Sequence, residues 1–108
     1  MATGILGQVE CTTNNQVVYT VPSSTFAVVT VSFTNRDTTN REIRLAITND
    51  EQSLSAELWK YIEFDAELLP SGVLERSGLV VDAGQKIVVF ANSTNVGVTV
   101  YGIETSTV

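Results

Sequence analysis

The sequence predicts an all-β protein: an antiparallel two-sheet β-sandwich, jelly-roll or Ig-like, of seven or eight strands with one short helical turn near 53–59. Three observations predict it. The apolar material is mostly β-branched Val, Ile and Thr, which pack well on a pleated surface, while the usual helix formers do not dominate. Apolar and polar residues alternate in short runs. Turn-forming clusters separate those runs, among them Pro22-Ser23-Ser24, Pro70-Ser71-Gly72, Asp82-Ala83-Gly84 and Asn92-Ser93-Thr94-Asn95. A chain of 108 residues is one domain, 1–108. At that size a chain buries about 60–70% of its unfolded surface and needs no staples.

In chain order, residues 1–8 are small and mildly apolar, and two glycines weaken any regular element there. The stretch reads as a possible extended N-terminal arm. Ile5 and Leu6 either cap the domain's own core or lie on a neighbouring subunit. Val9–Thr13 suits a short strand, and Gln16–Val21 a strand stopped by Pro22. In Thr25–Asn35, Val29, Val31 and Phe33 share one face, with Val28, Thr30, Ser32 and Thr34 on the other. Arg41–Thr48 alternates with Ile43, Leu45 and Ile47 inward, and pairs with the preceding strand as a hairpin. Asn49–Lys60 breaks the pattern. Leu54 and Leu58 at i, i+4, with Asp50 or Ser53 as cap, suit a helical turn in a connection crossing between sheets.

Tyr61–Glu104 reads as a four-strand meander. Its first strand directs Ile62, Phe64, Ala66 and Leu68 one way, and Tyr61, Glu63, Asp65 and Glu67 the other. The second strand is inconsistent. If Leu74 points in, so does Arg76, a conflict that a bulge or an edge position resolves. In the last strand Val96, Val98 and Val100 form one row, with Thr99 and Tyr101 opposite.

The net charge is −6, from 12 acidic and 6 scattered basic residues. Phosphate binding is built from clustered Lys and Arg, so nucleic acid is not the expected partner. Histidine is absent, which removes triad nucleophiles, HExxH zinc hydrolysis and the imidazole general base. Cys11 is the single cysteine, read as a small buried residue; no intrachain disulfide can form. No cofactor or metal site is expected. No apolar run approaches the about 20 residues of a membrane helix, and Met1–Gly7 lacks the pattern of a secretory leader, so no membrane role and folding in the cytoplasm are expected. Glu63, Asp65, Glu67 and Glu75 are the remaining catalytic material; plain strand alternation explains them without chemistry. Trp59 and Tyr61 at the start of the meander suit an exposed aromatic contact, unless Trp59 plugs the open end of the sandwich. The candidate protein–protein interface residues are Ile5, Leu6, Trp59, Tyr61, Glu63, Asp65 and Tyr101.

Several segments carry a resemblance: Val18-Tyr-Thr-Val-Pro22, Val29-Thr-Val-Ser-Phe-Thr-Asn35, Arg44-Leu-Ala-Ile47, Tyr61-Ile-Glu-Phe-Asp65, Gly72-Val-Leu-Glu-Arg76, Ala83-Gly84-Gln-Lys86 and Val96–Glu104. In this order and spacing the chain resembles small β-sandwich structural proteins of tailed-bacteriophage virions. The resemblance implies a non-enzymatic capsid decoration or cement protein, made in the host cytoplasm and carried on the virion. It would contact the major capsid protein or another virion protein and form a homo-oligomer, with a trimer favoured. A tail, neck or fibre component and a carbohydrate-binding module are the alternatives.

Overall fold

The computed structural model describes residues 3–108. Met1 and Ala2, the start of the stretch expected to hold no leader and to form a possible arm, lie outside the described residues. Eight strands follow in order: β1 Thr3–Glu10, β2 Gln16–Thr20, β3 Thr25–Asn35, β4 Arg41–Thr48, β5 Tyr61–Leu68, β6 Val73–Val81, β7 Lys86–Ala91 and β8 Val96–Ser106. They form two four-stranded sheets, A (β1-β8-β3-β6) and B (β2-β7-β4-β5). Every pairing is antiparallel. The chain changes sheet at each connection except β4–β5, which is the strand order of a jelly roll. The all-β two-sheet sandwich is as predicted, and the topology decides for the jelly roll over the Ig-like form.

Several pairings differ from the expected ones. β3 and β4 do not form a hairpin; β3 lies between β8 and β6, and β4 between β7 and β5. Tyr61–Glu104 is not a meander, because β5, β6, β7 and β8 alternate between sheets. The Asn49–Lys60 connection does not cross the sandwich; it joins neighbours within sheet B. Alternation reports which face of a strand is buried but not which strand lies beside it, so the local pattern suits a meander and a jelly roll equally. The glycine-containing start, expected as a possible arm, forms the edge strand β1, paired with β8 from Thr3↔Ile103 to Glu10↔Gly97.

The core lies between the two inner faces. Val29, Val31 and Phe33 of β3 and Val96, Val98 and Val100 of β8 meet Ile43 and Leu45 of β4 and Ile87 and Val89 of β7, all essentially inaccessible to solvent. Each large side chain buried this way contributes about 1.5–3 kcal/mol. Cys11 is buried in the same cluster. A second, smaller cluster sits on the outside of sheet B, where Leu54 packs on Ala46 and Val88. The single helical turn expected near 53–59 is instead two 3-10 turns, Glu51–Ser55 and Leu58–Lys60. Asp50 caps the first by accepting from the Gln52 amide at 3.0 Å. The break between them separates Leu54, fully buried, from Leu58, which is exposed, so the i, i+4 pair does not form.

The first strand of the supposed meander also changes face midway. Asp65 has φ 53°, the left-handed region, and the β4–β5 register shifts beside it between Ile43 and Leu45. The extra residue reverses the alternation. Ala66 and Leu68 still face the core, but Phe64 and Ile62 are exposed. In β6 the conflict is resolved by the edge position. Leu74 packs against the core, and Arg76 points the same way at the sandwich edge, where it is paired with Glu63 of β5. Beyond it Ser77 and Gly78 form a bulge opposite Thr30, Gly78 at φ 70°.

Candidate functional site

At one end of the sandwich the buried side chain of Asn35 ties three turns together. Its amide Nδ2 lies 3.0, 3.2 and 3.1 Å from the carbonyls of Thr39, Leu68 and Leu69, and its Oδ1 accepts from the Asp37 amide at 2.9 Å. Asp37 in turn accepts from Arg41 (2.9 and 2.5 Å), from Asn95 Nδ2 (3.2 Å) and from the Thr38 amide (2.7 Å). These donors, Arg41 foremost, hold the Asp37 carboxyl at about 2. This end is a structural brace.

The predicted interface residues do not form one surface. Leu6 packs against its own core, whereas Ile5 beside it is exposed. Ile5 and Tyr101 are register partners on the outer face of sheet A. The Tyr101 hydroxyl donates to Glu75 at 2.8 Å, and that bond raises its pKa. Tyr61 and Asp65 belong to β5 of sheet B, and Trp59 to the 3-10 turn that leads into it. Glu63 closes the edge between the sheets through Arg76. The acidic row read from Glu63, Asp65 and Glu67 is therefore broken by the bulge. Glu63 faces Leu45 and reaches sheet A, while Asp65 turns outward to Arg44 at 2.6 Å. Arg44 lowers the Asp65 pKa, keeping this carboxyl ionised at neutral pH, the wrong state for a general acid.

On sheet B, Arg44 lies between two rings, 4.1 Å from the Phe64 centroid and 4.8 Å from that of Phe90. Phe64 also meets Tyr61 edge-on at 5.2 Å. Lys60 bridges Thr48 (3.2 Å) and Ser53 (3.1 Å), pairs with Glu57 (3.1 Å) and lies 5.4 Å from the Trp59 ring. These bonds fix the second 3-10 turn, and Trp59 stands out from it with 75% of its surface exposed. Trp59 does not plug the sandwich. Leu58, Trp59, Ile62 and Phe64 together form an exposed apolar ridge along the β5 edge of sheet B. Among these, Leu58, Ile62 and Phe64 escape sequence reasoning, because an unmarked bulge displaces Phe64 and the 3-10 geometry displaces Leu58.

The outer face of sheet A carries a second apolar group: Ile5, Tyr101, Ile103 and Val80, with the half-buried Val28. Val28 pairs with Ile103 on one side and Val80 on the other. For Ile103 the signal was present, since it shares the parity of Tyr101 and not of Val96, Val98 and Val100. A shallow depression of about 330 Å³ lies between the β2–β3 turn and the end of β8, lined by Ser23, Ser24, Thr25, Glu104 and Ser106 with Pro22 and Val108. The buried Tyr19 hydroxyl donates to Glu104 at 2.5 Å beside it, and burial, then that bond, raises the Tyr19 pKa.

All six basic side chains are in ion pairs: Arg36 with Glu10, Arg41 with Asp37, Arg44 with Asp65, Lys60 with Glu57, Arg76 with Glu63 and Lys86 with Glu51. Comparison of the chain with protein-family models, with curated proteins and with solved structures finds no match.

Proposed function

We propose that the protein is a non-enzymatic structural component of a phage virion, a decoration or cement protein that stabilises the assembled capsid by protein contacts. The observation that carries this reading is the ridge of Leu58, Trp59, Ile62 and Phe64, exposed on a turn braced by Lys60. A large rigid aromatic held in solvent among apolar neighbours is the composition of an interface hot spot. The resemblance to virion proteins supports the station, and a jelly roll is an architecture used in capsids. A piece that binds only the assembled lattice stabilises it by mass action. Repetition over a symmetric shell adds avidity. The commitment of every basic side chain to a carboxylate supports a protein partner over nucleic acid.

Imaging of labelled protein on intact particles tests the reading. Signal spread over the shell in many copies is the expected result; signal confined to the tail, neck or fibres assigns it to that station and overturns capsid decoration. Trp59→Ala is expected to weaken binding to particles about tenfold or more. The same indole supports a second reading, a carbohydrate-binding module, because sugar faces stack on exposed aromatic rings. Glycan-array binding lost in Trp59→Ala would favour that module over the virion role.

A further inference from the structure

The two outer faces of the sandwich are finished differently. The middle of sheet B is covered by its own chain, with Leu54 of the β4–β5 connection burying Ala46 and Val88, while its β5 edge stays open. Over sheet A no described segment lies, although Val80 is 67%, Ile5 64% and Ile103 49% exposed. We propose that the outer face of sheet A packs against the same face of a second copy of this chain, as a twofold pair.

Charge argues for a copy over another kind of partner. β1, β3 and β8 contain no Lys or Arg, and Arg76, the one basic residue of β6, turns inward to Glu63. The carboxylates at this face are already engaged, Glu10 with Arg36 at 2.6 Å and Glu75 with the Tyr101 hydroxyl at 2.8 Å. A basic partner would find no free acidic cluster here, and an acidic partner only Arg36 at the margin, already paired with Glu10. Two copies each carrying −6 repel one another through most of their surface. This charge-poor face is where they can meet, since interface centres are depleted in charge. A face without unpaired charge does not repel its own copy, as an isologous twofold contact, which sets the same patch against itself, requires.

Shape and size agree. Four strands of eight to eleven residues make a face of about 30 by 19 Å, or about 600 Å² in projection. That is of the order of the about 800 Å² of accessible surface per partner in a standard interface. At Gly97 a Cβ would meet nothing within 4 Å and the backbone does not demand glycine, so that part of the sheet stays low where a facing sheet would approach. The pairing is independent of a virion role, and it replaces the trimer implied by resemblance with a dimer.

Sedimentation and light scattering of the intact chain test it, with Val80→Lys and Ile103→Lys as variants at exposed positions outside the core. The expected result is a wild-type dimer whose dissociation constant rises about tenfold or more in each variant, the double variant being monomeric. Trp59→Ala leaves the dimer unchanged, so failure of this pairing and failure of the particle-binding ridge are separable. Dilution of the wild-type chain is expected to shift the amide signals of Val28, Val80 and Ile103, a readout that needs no variant. A wild-type monomer or trimer, a dimer indifferent to both lysines, or dilution shifts centred on sheet B would each overturn the proposal.

Discussion

Asn35 shows how one buried polar residue can organise a whole end of a sandwich. Its amide faces three carbonyls and its oxygen takes an amide proton, so removal strands several buried groups at once. Asn35→Leu, of similar size, is expected to lower the unfolding free energy by about 2–3 kcal/mol, read from the urea midpoint at constant slope. Asp37 beside it links stability to pH. Its folded carboxyl titrates at about 2 against an ordinary 3.8, so the native state holds the charged form more favourably. That contribution is complete above 3.8 and is lost as the pH falls towards about 2. Replacement of Arg41, the largest cause of the depression, by Met is expected to flatten this acid limb when thermal midpoints are compared across the same range.

At the scale of elements, the β4–β5 connection works as a cover and not merely as a link. Leu54 is its anchor, fully buried on Ala46 and Val88. Leu54→Ala is expected to cost about 2–4 kcal/mol in chemical denaturation and to expose the outside of sheet B. The inward rows of β3, β4 and β8 were legible in the sequence, because each alternates without interruption; in β4 the outward Ala46 and Thr48 are buried as well, because the β4–β5 connection covers them. β5 was not. Nothing in Tyr61-Ile-Glu-Phe-Asp-Ala-Glu-Leu68 marks Asp65 as left-handed, although Asp is among the residues that tolerate it. One extra residue therefore sent Phe64 outward and parted Glu63 from Asp65. The exposed ridge was half legible: Trp59 stood out by composition, but Ile62 and Phe64 were placed on one strand face with Ala66 and Leu68, and Leu58 was paired with Leu54. Strand partners were not legible either, since pairing across the sandwich is decided by long-range packing that no local period records.

The molecule as a whole is built from contacts between distant parts of the chain. β1 pairs with β8, β2 with β7 and β3 with β6, and only β4–β5 joins consecutive strands. Loop-closure entropy is met before those pairings stabilise anything, so refolding from urea is expected on the millisecond-to-second scale typical of sandwiches, measurable by stopped-flow fluorescence. A process faster than this would indicate that β4–β5 and its cover fold as a local nucleus. The single buried cysteine gives the fold a chemical clock. Cys11 is sealed in the core, its amide bonded to the Val96 carbonyl at 2.8 Å, and burial, aided by Glu10, pushes its thiol up to about 12. A thiol reagent can therefore modify the chain only during excursions that part β1 and β2 from the rest. The reaction in native buffer should run slower than in the unfolded chain by about 10³-fold or more. The protein thus carries an intrinsic reporter of its own opening, with no label to introduce and no second thiol to confuse the readout.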